Sequence, residues 1–354
     1  MGLQPCARIG ILGGGQLGRM LAMAGARLGL DMVIFDPEPD CPASRVAADT
    51  VTAPYADLDA VARFAASVDA VTYEFENVPV ETAAEAARHA PLRPGVKALE
   101  AAQDRVTEKR FLNAHGAPTV EFRPVDSAQG ARAAADALGA PGILKTRRMG
   151  YDGKGQAVVR DPAQAADAFD QIGARPAILE AFAPFTRELS IIAARGLEGQ
   201  VTAFPLSENI HGGGILRETR APAAASDAVA AEAWRIAEAI LSALDYVGVL
   251  TVELFELEGG RVLVNEIAPR VHNSGHWTEA ACRVSQFEQH IRAVAGWPLA
   301  DPAPVRPARM INLIGEDAAQ WADWLADPSA VLHLYGKRRA RPGRKMGHVT
   351  LLGD

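Results

Sequence analysis

The chain has little cysteine and no long hydrophobic run. Cys6, Cys41 and Cys282 are its only cysteines, and they lie far apart without CxxC spacing, so the sequence indicates neither a disulfide framework nor a zinc site. No stretch reaches the ~20 consecutive apolar residues of a membrane span, and the N-terminus lacks the pattern of a signal peptide. We therefore expect a cytoplasmic protein.

Positive charge is also scarce. The chain has 36 Lys and Arg residues against 43 Asp and Glu residues, and the net charge of -7 argues against a protein that binds nucleic acid over its whole surface. Residues 337–345 are an exception, because six of these nine positions are Lys or Arg. The length of 354 residues suits two or three domains.

Residues 249–277 are the most informative stretch. Two apolar, β-branched runs flank Gly259 and Gly260, and this pattern predicts an antiparallel hairpin with a two-residue turn. Such a turn would place Glu253 directly opposite Glu266, with their Cβ atoms ~5 Å apart. Two facing carboxylates require a cation between them, and oxygen ligands favour Mg²⁺ that arrives with phosphate. The alternative is a longer turn, a different register and two solvated glutamates.

The loop after this hairpin is rich in groups that bind anions. Arg270, His272, Asn273, Ser274 and His276 fall within seven residues. An arginine beside several hydrogen-bond donors is typical of a site for an oxyanion. This loop strengthens the interpretation of the hairpin as a binding site.

A glycine-rich turn lies near the N-terminus. Residues 7–12 predict a buried strand, and a GxGxxG pattern at residues 13–18 leads into a helix that runs to about Leu28. A second strand over residues 32–35 ends in Asp36, so this segment alone matches the fingerprint of a nicotinamide dinucleotide site. A structural turn is the alternative, because glycines at a helix N-terminus permit close approach of an anion without identifying it.

A third strand is predicted over residues 70–76 and completes a small βαβ domain. Its alternation would place Glu74 and Glu76 on one face at its carboxyl end. Open α/β sheets bind ligands at that edge, so a pair of carboxylates there favours a functional site over two solvated side chains.

A phosphate-binding lid is predicted over residues 145–156. Lys145 ends a strand, and Gly150, Gly153 and Gly155 alternate with hydrogen-bond donors. The backbone N–H groups of such a loop can cover polyphosphate, and its glycines allow it to move. The pattern GxxxxGK[ST] is absent, which disfavours a P-loop nucleotidase. The alternative is a basic glycine hairpin without a ligand.

The order of these features resembles that of the ATP-grasp ligases. Within that superfamily, nearly the whole chain is similar to the 5-(carboxyamino)imidazole ribonucleotide synthase family. The motifs that carry the similarity are residues 15–20, 74–78, 150–156, 208–211, 265–277 and 341–345. Residues 265–277 are the most specific of these, and GxGxxG is the least. Many ATP-grasp enzymes have Asn two residues after the second metal-binding Glu, whereas this chain has Ala268, so the expected number of metal ions is one or two.

This resemblance implies an α/β chain with the ATP-grasp fold. It implies a Rossmann-like substrate-binding domain over residues 1–98 and an ATP-grasp domain over residues 99–300, with a lid subdomain at about 118–183. A small C-terminal domain over residues 301–354 would supply a phosphate clamp. The family also leads us to expect a homodimer, with neither a nucleic acid nor a membrane as partner.

The implied reaction is the ATP-dependent carboxylation of 5-aminoimidazole ribonucleotide with bicarbonate in de novo purine biosynthesis. Bicarbonate is a poor electrophile, so ATP would first convert it to carboxyphosphate, which would react with the amine either directly or after release of CO₂ beside it. The products would be 5-(carboxyamino)imidazole ribonucleotide, ADP and phosphate.

The resemblance also assigns the cofactor site. Glu253 and Glu266 would hold Mg²⁺, and His211, which by itself is more typical of a structural histidine, would contact the nucleotide. The residues implied in ATP binding are Arg105, Lys145, Gly150, Tyr151, Asp152, Gly153, Lys154, Gly155, Gln156, Glu180, Ala181, Phe182, Ala183, Glu188, His211, Asn265 and Glu266.

Substrate contacts follow from the same similarity. Arg270 and His272 would grip bicarbonate and carboxyphosphate. Tyr151 and Asp152 would reach the reacting amine, Asp152 as proton acceptor or orienting group. The residues implied in binding the ribonucleotide are Gln16, Leu17, Glu76, Asn273 and Ser274, with Lys337, Arg344 and Lys345 on its 5′-phosphate.

Three other functions are compatible with parts of the sequence. Formate-dependent glycinamide ribonucleotide transformylase shares the ATP-grasp plan. A nicotinamide-dependent dehydrogenase would use GxGxxG and Asp36. A nucleotide sensor would bind ATP without turnover, although the intact acidic pair and substrate loop argue against it.

Overall fold

The computed structural model describes residues 2–150 and 153–353. Within these residues the strands form three sheets: a parallel sheet at the N-terminus, a small antiparallel sheet, and a large antiparallel sheet that includes the C-terminal strands. The α/β character predicted from the sequence is thus present. Tyr151 and Asp152, two predicted catalytic residues, lie outside the described residues.

The N-terminal sheet is parallel, with strand order β3-β2-β1-β4, and helices cover its faces. Most of its strands are apolar and buried because both faces are covered, as is usual for parallel sheets, whereas the edge strand over residues 49–52 is partly exposed. Its elements are β1 (Arg8–Leu12), α1 (Gln16–Arg27), β2 (Asp31–Asp36), β3 (Asp49–Thr52), α2 (Leu58–Ala66), β4 (Ala70–Tyr73), α3 (Val80–Ala87) and α4 (Val96–Ala102).

Strand β4 ends three residues earlier than predicted. It pairs with β1 from Ala70 to Tyr73, and β1 ends opposite Tyr73 at Leu12. Without a partner strand the chain leaves the sheet, so Glu74 and Glu76 lie in the following turn. The prediction that both share one strand face is wrong.

The glycine-rich turn between β1 and α1 binds carboxylates of the protein itself. Glu74 accepts hydrogen bonds from the backbone N–H of Gly15 at 2.6 Å and of Gly18 at 2.7 Å, and Asp36 accepts one from Gly14 at 2.7 Å. A Cβ atom on Gly15 would lie 2.5 Å from Oε1 of Glu74. The glycines therefore admit an internal anion at the helix N-terminus, which favours the structural interpretation of GxGxxG over a dinucleotide site.

Helix α5 (Arg105–Ala114) connects the first sheet to the second. Asp104 caps it: its carboxylate accepts hydrogen bonds from the backbone of Val106 and Thr107 at 3.0 and 3.2 Å. The second sheet has the order β5-β8-β6-β7. Its elements are β5 (Phe122–Val125), α6 (Ala128–Leu138), β6 (Gly142–Thr146), β7 (Gln156–Val159), α7 (Ala165–Gln171) and β8 (Ala177–Ala181).

The large sheet has the order β14-β13-β9-β11-β12-β15-β17-β16, and β10 pairs with β9. It therefore joins the hairpin that carries Glu253 and Glu266 to the C-terminal residues. Its elements are β9 (Phe185–Arg195), β10 (Val201–Ala203), β11 (Ser207–Gly212), β12 (Ile215–Ala221), α8 (Asp227–Ala243), β13 (Gly248–Leu257), β14 (Val262–Ala268), α9 (Thr278–Ala281), α10 (Gln286–Ala295), β15 (Ala308–Ile314), α11 (Trp321–Ala326), β16 (Ala330–Leu334) and β17 (Lys345–Leu352).

The β13–β14 hairpin places Glu253 opposite Glu266, as predicted, but by a different route. The turn spans Glu258–Gly260 rather than two residues, with Gly259 and Gly260 at φ angles of 78° and 79°. This turn shifts the pairing near it by one residue. A β-bulge at Asn265 then restores the facing glutamates, because Leu254 pairs with Val264 and Glu253 with Glu266.

The C-terminal residues include an acidic segment that is only partly α-helical. It consists of a 3₁₀ segment, Gly315–Gln320, followed by α11. Residues 337–345, here called the basic tail, follow β16. They form the loop that leads to β17, and the last of them, Lys345, begins β17. Among the described residues, none of the helices is long and apolar enough to cross a membrane.

We predict that Gly15→Ala lowers the free energy of unfolding by about 1–3 kcal/mol relative to Gly95→Ala, because the new methyl group would displace the Glu74 carboxylate and leave backbone donors unpaired. Gly95 is a matched control. Both glycines precede a helix with φ of -71°, but a Cβ on Gly95 meets nothing within 4 Å. Urea denaturation of both variants measures the difference, and equal losses would contradict the assigned role of Gly15.

Candidate active site

A cavity of about 820 Å³ lies where the three sheets approach one another. It brings together most of the residues predicted from the sequence. The predicted site residues that line it are Gln16, Leu17, Glu76, Arg105, Lys145, Gly150, Gly153, Lys154, Gly155, Gln156, Glu188, His211, Glu253, Asn265, Glu266, Arg270, His272, Asn273, Lys337, Arg344 and Lys345.

Of the predicted residues that the structure describes, five are not among those that line the cavity: Glu180, Ala181, Phe182, Ala183 and Ser274. Glu180 is buried and accepts a hydrogen bond from Nζ of Lys145 at 2.7 Å. Ser274 is also buried, and its hydroxyl lies 2.9 Å from Nδ1 of His272. In this structure, Glu180 and Ser274 orient residues of the wall instead of forming it.

The facing carboxylates both point into the cavity, and each has a cationic or imidazole partner. Oε2 of Glu266 lies 2.5 Å from Nη1 of Arg105, and Oε1 of Glu253 lies 3.1 Å from Nε2 of His272. Burial by itself favours the protonated acid, but Arg105 lowers the pKa of Glu266 to about 2. Glu266 is therefore ionised at neutral pH, as a ligand for a cation must be.

Arg270 links the N-terminal domain to the large sheet. Its Nε donates to the carboxylate of Glu76, and its Nη1 donates to the backbone oxygen of Val271 at 3.0 Å. Burial favours the neutral guanidine, but the Glu76 carboxylate raises the pKa of Arg270 above its ordinary value. Arg270 is thus a permanently charged group on the wall, beside His272.

His211 and Glu188 form a second imidazole–carboxylate pair on the wall, with Nδ1 of His211 3.0 Å from Oε2 of Glu188. Although burial disfavours the charged ring, Glu188 raises the pKa of His211. His211 lines the cavity, whereas its sequence context alone is more typical of a structural histidine.

The basic tail closes one side of the cavity. Lys337, Arg344 and Lys345 line it as predicted, and Nζ of Lys337 donates to the backbone oxygen of Lys345 at 2.6 Å. Arg341, which was not assigned a role from the sequence, also lines the cavity. Arg338 is largely exposed and pairs with Asp40 at 3.3 Å.

Two charged residues of helix α5 were missed. Lys109 is 1% exposed, donates to the backbone oxygen of Asn265 at 3.1 Å, and lies 3.3 Å from Glu180. Glu108 accepts a hydrogen bond from the backbone of Ile267 at 2.7 Å. These contacts fix the backbone on both sides of Glu266. The sequence signal was the spacing of Lys109 four residues after Arg105, which places both on one helix face.

An aromatic wall was also missed. The rings of Phe185 and Phe255 stack with centroids 4.7 Å apart and planes 7° apart, and both residues line the cavity with Ile143. Phe255 follows Glu253 by two residues on β13, so strand alternation could have placed both on the cavity face. A flat apolar surface beside Lys145 suits an aromatic base next to its phosphates.

Models of known domain families match most of the chain. The ribonucleotide synthetase preATP-grasp domain matches residues 6–103, the ATP-grasp domain matches residues 110–287, and the phosphoribosylaminoimidazole carboxylase C-terminal domain matches residues 308–354. N5-carboxyaminoimidazole ribonucleotide synthase of Brucella melitensis is 54% identical over 350 residues, which cover 98% of this chain and 97% of that protein. The chain belongs to the N5-carboxyaminoimidazole ribonucleotide synthase family.

Solved structures of this family have the same fold. The synthetase from Thermus thermophilus is 50% identical with a TM-score of 0.92, over 98% of this chain and 94% of that one. The synthase from Aspergillus clavatus, in complex with ADP and 5-aminoimidazole ribonucleotide, is 32% identical with a TM-score of 0.92, over 98% and 94% of the two chains.

Membership of the N5-carboxyaminoimidazole ribonucleotide synthase family confirms the resemblance drawn from the motifs. This family name and 5-(carboxyamino)imidazole ribonucleotide synthase denote the same enzyme. The fold is that of the ATP-grasp enzymes, with a preATP-grasp domain before it and the family's C-terminal domain after it. The chain is an ATP-dependent ligase. The dehydrogenase alternative is thereby removed, in agreement with the internal carboxylates on the glycine turn.

We predict that the Glu108 carboxyl makes the protein less stable as the pH rises. Burial, together with the nearby Glu266 carboxylate, raises the pKa of Glu108 to about 8. The folded state then binds more protons than the unfolded state between the ordinary pKa of a glutamate and about 8, so the contribution of this group is largest below that window and falls across it.

Glu108→Gln tests this sign, because its amide oxygen can still accept from Ile267. The stability of wild type relative to Glu108→Gln should fall by at least about 1 kcal/mol between about pH 5 and about pH 8, measured by urea denaturation. Glu100→Gln, at an exposed position on α4, is the control and should show no such trend. A constant difference between wild type and Glu108→Gln would refute the prediction.

Proposed function

We propose that this chain carboxylates 5-aminoimidazole ribonucleotide with bicarbonate at the expense of ATP, by way of carboxyphosphate, and that the cavity performs each step. The observation that supports this most directly is the position of Arg270 and His272. They lie in one cavity with the acidic pair Glu253 and Glu266 and with the basic tail. The cavity can therefore bind three groups together: the acid that is phosphorylated, a nucleoside triphosphate and the phosphate of a nucleoside monophosphate.

ATP is bound at the end of the cavity formed by the small sheet. Phe185 and Phe255 provide an apolar surface for adenine, and Glu188 with His211 lies within reach of the ribose side. Lys145, held by Glu180, and Arg105 neutralise the phosphates. Gly150, Gly153 and Gly155 allow the lid backbone to approach them, while Tyr151 and Asp152 keep the roles predicted from the sequence.

Glu253 and Glu266 are the proposed Mg²⁺ ligands. Two carboxylates on adjacent strands, with the amide of Asn265 beside them, provide the hard oxygen donors that Mg²⁺ prefers, and neither Cys nor His is required. When bound, the ion would neutralise phosphate charge during transfer. Arg105 and His272, which pair with these two carboxylates, would then be available to the anionic substrates.

Bicarbonate is bound by Arg270 and His272. A bicarbonate oxygen attacks the γ-phosphorus of ATP, the bond from that phosphorus to ADP breaks, and carboxyphosphate forms. The amine nitrogen of the ribonucleotide then bonds to the carboxyl carbon, phosphate leaves, and the amine loses a proton. Arg270 stays charged throughout because Glu76 holds it, so it stabilises the negative charge in both steps.

The ribonucleotide occupies the side of the cavity next to the N-terminal domain. Gln16, Leu17, Glu76 and Asn273 contact its ribose and base. Asn273 is held in place by two hydrogen bonds to Asn312, at 2.9 and 2.7 Å. The 5′-phosphate is held by Lys337, Arg344 and Lys345, to which the structure adds Arg341 as a neighbour.

Three predictions from the sequence also belong to this proposal. The chain works as a homodimer in the cytoplasm. Its domains meet near residues 98 and 300, with the lid subdomain at about 118–183. One or two Mg²⁺ ions take part.

The activity is tested by the steady-state rate of ADP formation with bicarbonate and 5-aminoimidazole ribonucleotide omitted one at a time. We expect full turnover only with both, because each contributes atoms to the product. Turnover that instead requires formate and glycinamide ribonucleotide would support the transformylase alternative. ATP binding without turnover under any of these conditions would support a nucleotide sensor.

Substitution of two lysines separates the two phosphate sites. We expect Lys145→Ala to raise the KM for ATP and Lys337→Ala to raise chiefly the KM for the ribonucleotide. Each KM should rise about 10- to 100-fold, because each substitution removes one charge-assisted contact. Arg338→Ala is the matched control, since it removes a cation of the same tail that pairs with Asp40 instead of lining the cavity. Equal effects of Lys145→Ala and Lys337→Ala on ATP alone would contradict this division.

A further inference from the structure

A second cluster of metal-ligating side chains lies outside the cavity. Glu279, His333 and His348 each offer one ligand atom, and these atoms all lie within 4.8 Å of one another. None of the three lines the cavity. They come from three different elements, because Glu279 is on α9, His333 is on β16 and His348 is on β17.

The backbone explains why the two imidazoles meet. His333 and His348 are directly paired across the antiparallel strands β16 and β17, so their side chains share one face of the sheet. Their rings stack with centroids 5.2 Å apart and planes 15° apart. Helix α9 lies over that face and brings its glutamate to both rings.

The separations suit a small metal ion. Oε2 of Glu279 lies 2.9 Å from Nδ1 of His333 and 3.9 Å from Nε2 of His348. Ligands at the usual zinc distances in a tetrahedron are roughly 3.3 Å apart, which falls between these two values. The 3.9 Å separation is too long for a hydrogen bond.

A supporting contact sets the orientation of the buried histidine. The hydroxyl of Tyr335 lies 2.9 Å from Nδ1 of His348, so Nε2 is the nitrogen that faces Glu279. Ligating histidines in metal sites are usually held in this way through their other nitrogen. Tyr335 is buried, while Glu279 is exposed and gives an ion a route to the site.

We propose that Glu279, His333 and His348 bind a divalent transition-metal ion of the zinc class. Two imidazoles and one carboxylate select such an ion over Mg²⁺ and leave a fourth position for water. The ion joins α9, which follows the loop that carries Arg270 and His272, to the two strands that flank the basic tail. Its role is structural, because no ligand lies on the cavity wall.

The test is calorimetric titration of the full-length, untagged chain with ZnCl₂, after treatment with a chelator and in excess Mg²⁺ to occupy carboxylate sites. We expect the wild type to bind zinc and to unfold at a higher temperature with it. His333→Ala should weaken binding at least about tenfold, and Tyr335→Phe about tenfold, the lower end of the loss found for supporting partners.

His89→Ala is the matched control. His89 also contacts a glutamate, Glu85, at 3.0 Å, but it lies at an exposed position in the turn after α3 and outside the described cluster. The His89→Ala variant should bind zinc with the same affinity as the wild type. If His333→Ala fails to fold, judged by circular dichroism, Glu279→Gln replaces it. Equal zinc affinity in wild type and the cluster variant, or no zinc binding by the wild type, would leave a hydrogen-bonded ion pair only and overturn the proposal.

Discussion

Pairing of opposite charges is the constraint on which this site depends. Each of three carboxylates in or beneath the cavity wall has a cationic partner: Glu266 has Arg105, Glu180 has Lys145, and Glu76 has Arg270. A buried charge without a partner costs several kcal/mol, so these pairs allow a highly charged cavity to exist within a folded protein. The same pairs are the groups with which any charged ligand of this cavity would have to compete.

The first turns of helix α5 organise much of this arrangement. Asp104 begins the helix and is also bound by Arg147, at 3.0 Å, from the loop that leads into the lid. Arg105 reaches Glu266, and Lys109 reaches both Glu180 and the backbone of Asn265. One short helix thus connects the loop after β6, the small sheet and the hairpin that carries Glu266. Its position therefore determines how far apart the small sheet and this hairpin lie across the cavity.

Sequence patterns predicted the residues of the wall better than the residues behind it. Glu253 and Glu266 were correctly paired because two departures from the prediction cancel: the turn is one residue longer, and the bulge at Asn265 restores the register. The helical spacing of Arg105 and Lys109 shows that they share a face, but the partners of Lys109 and the orienting role of Glu180 depend on contacts between segments distant in the chain. Local periodicity does not identify those partners.

The glycine motif illustrates a different limit. GxGxxG predicts exposed N–H groups at a helix N-terminus, and it predicts them correctly, but it does not identify the anion. Here that anion is Glu74, 59 residues after Gly15. A motif that describes a backbone shape is therefore compatible with either a ligand or a side chain of the same protein.

The bulge at Asn265 has a consequence for how this hairpin can change in evolution. Because the extra residue lies inside β14, insertions in the turn at Glu258–Gly260 leave the facing of the two acids unaltered. Removal of that extra residue would also leave Glu266 opposite Glu253, because the regular pairing near the turn, Leu254 with Val264, would then continue without a break. Variation in length should therefore be tolerated both at the tip of the hairpin and at the bulge.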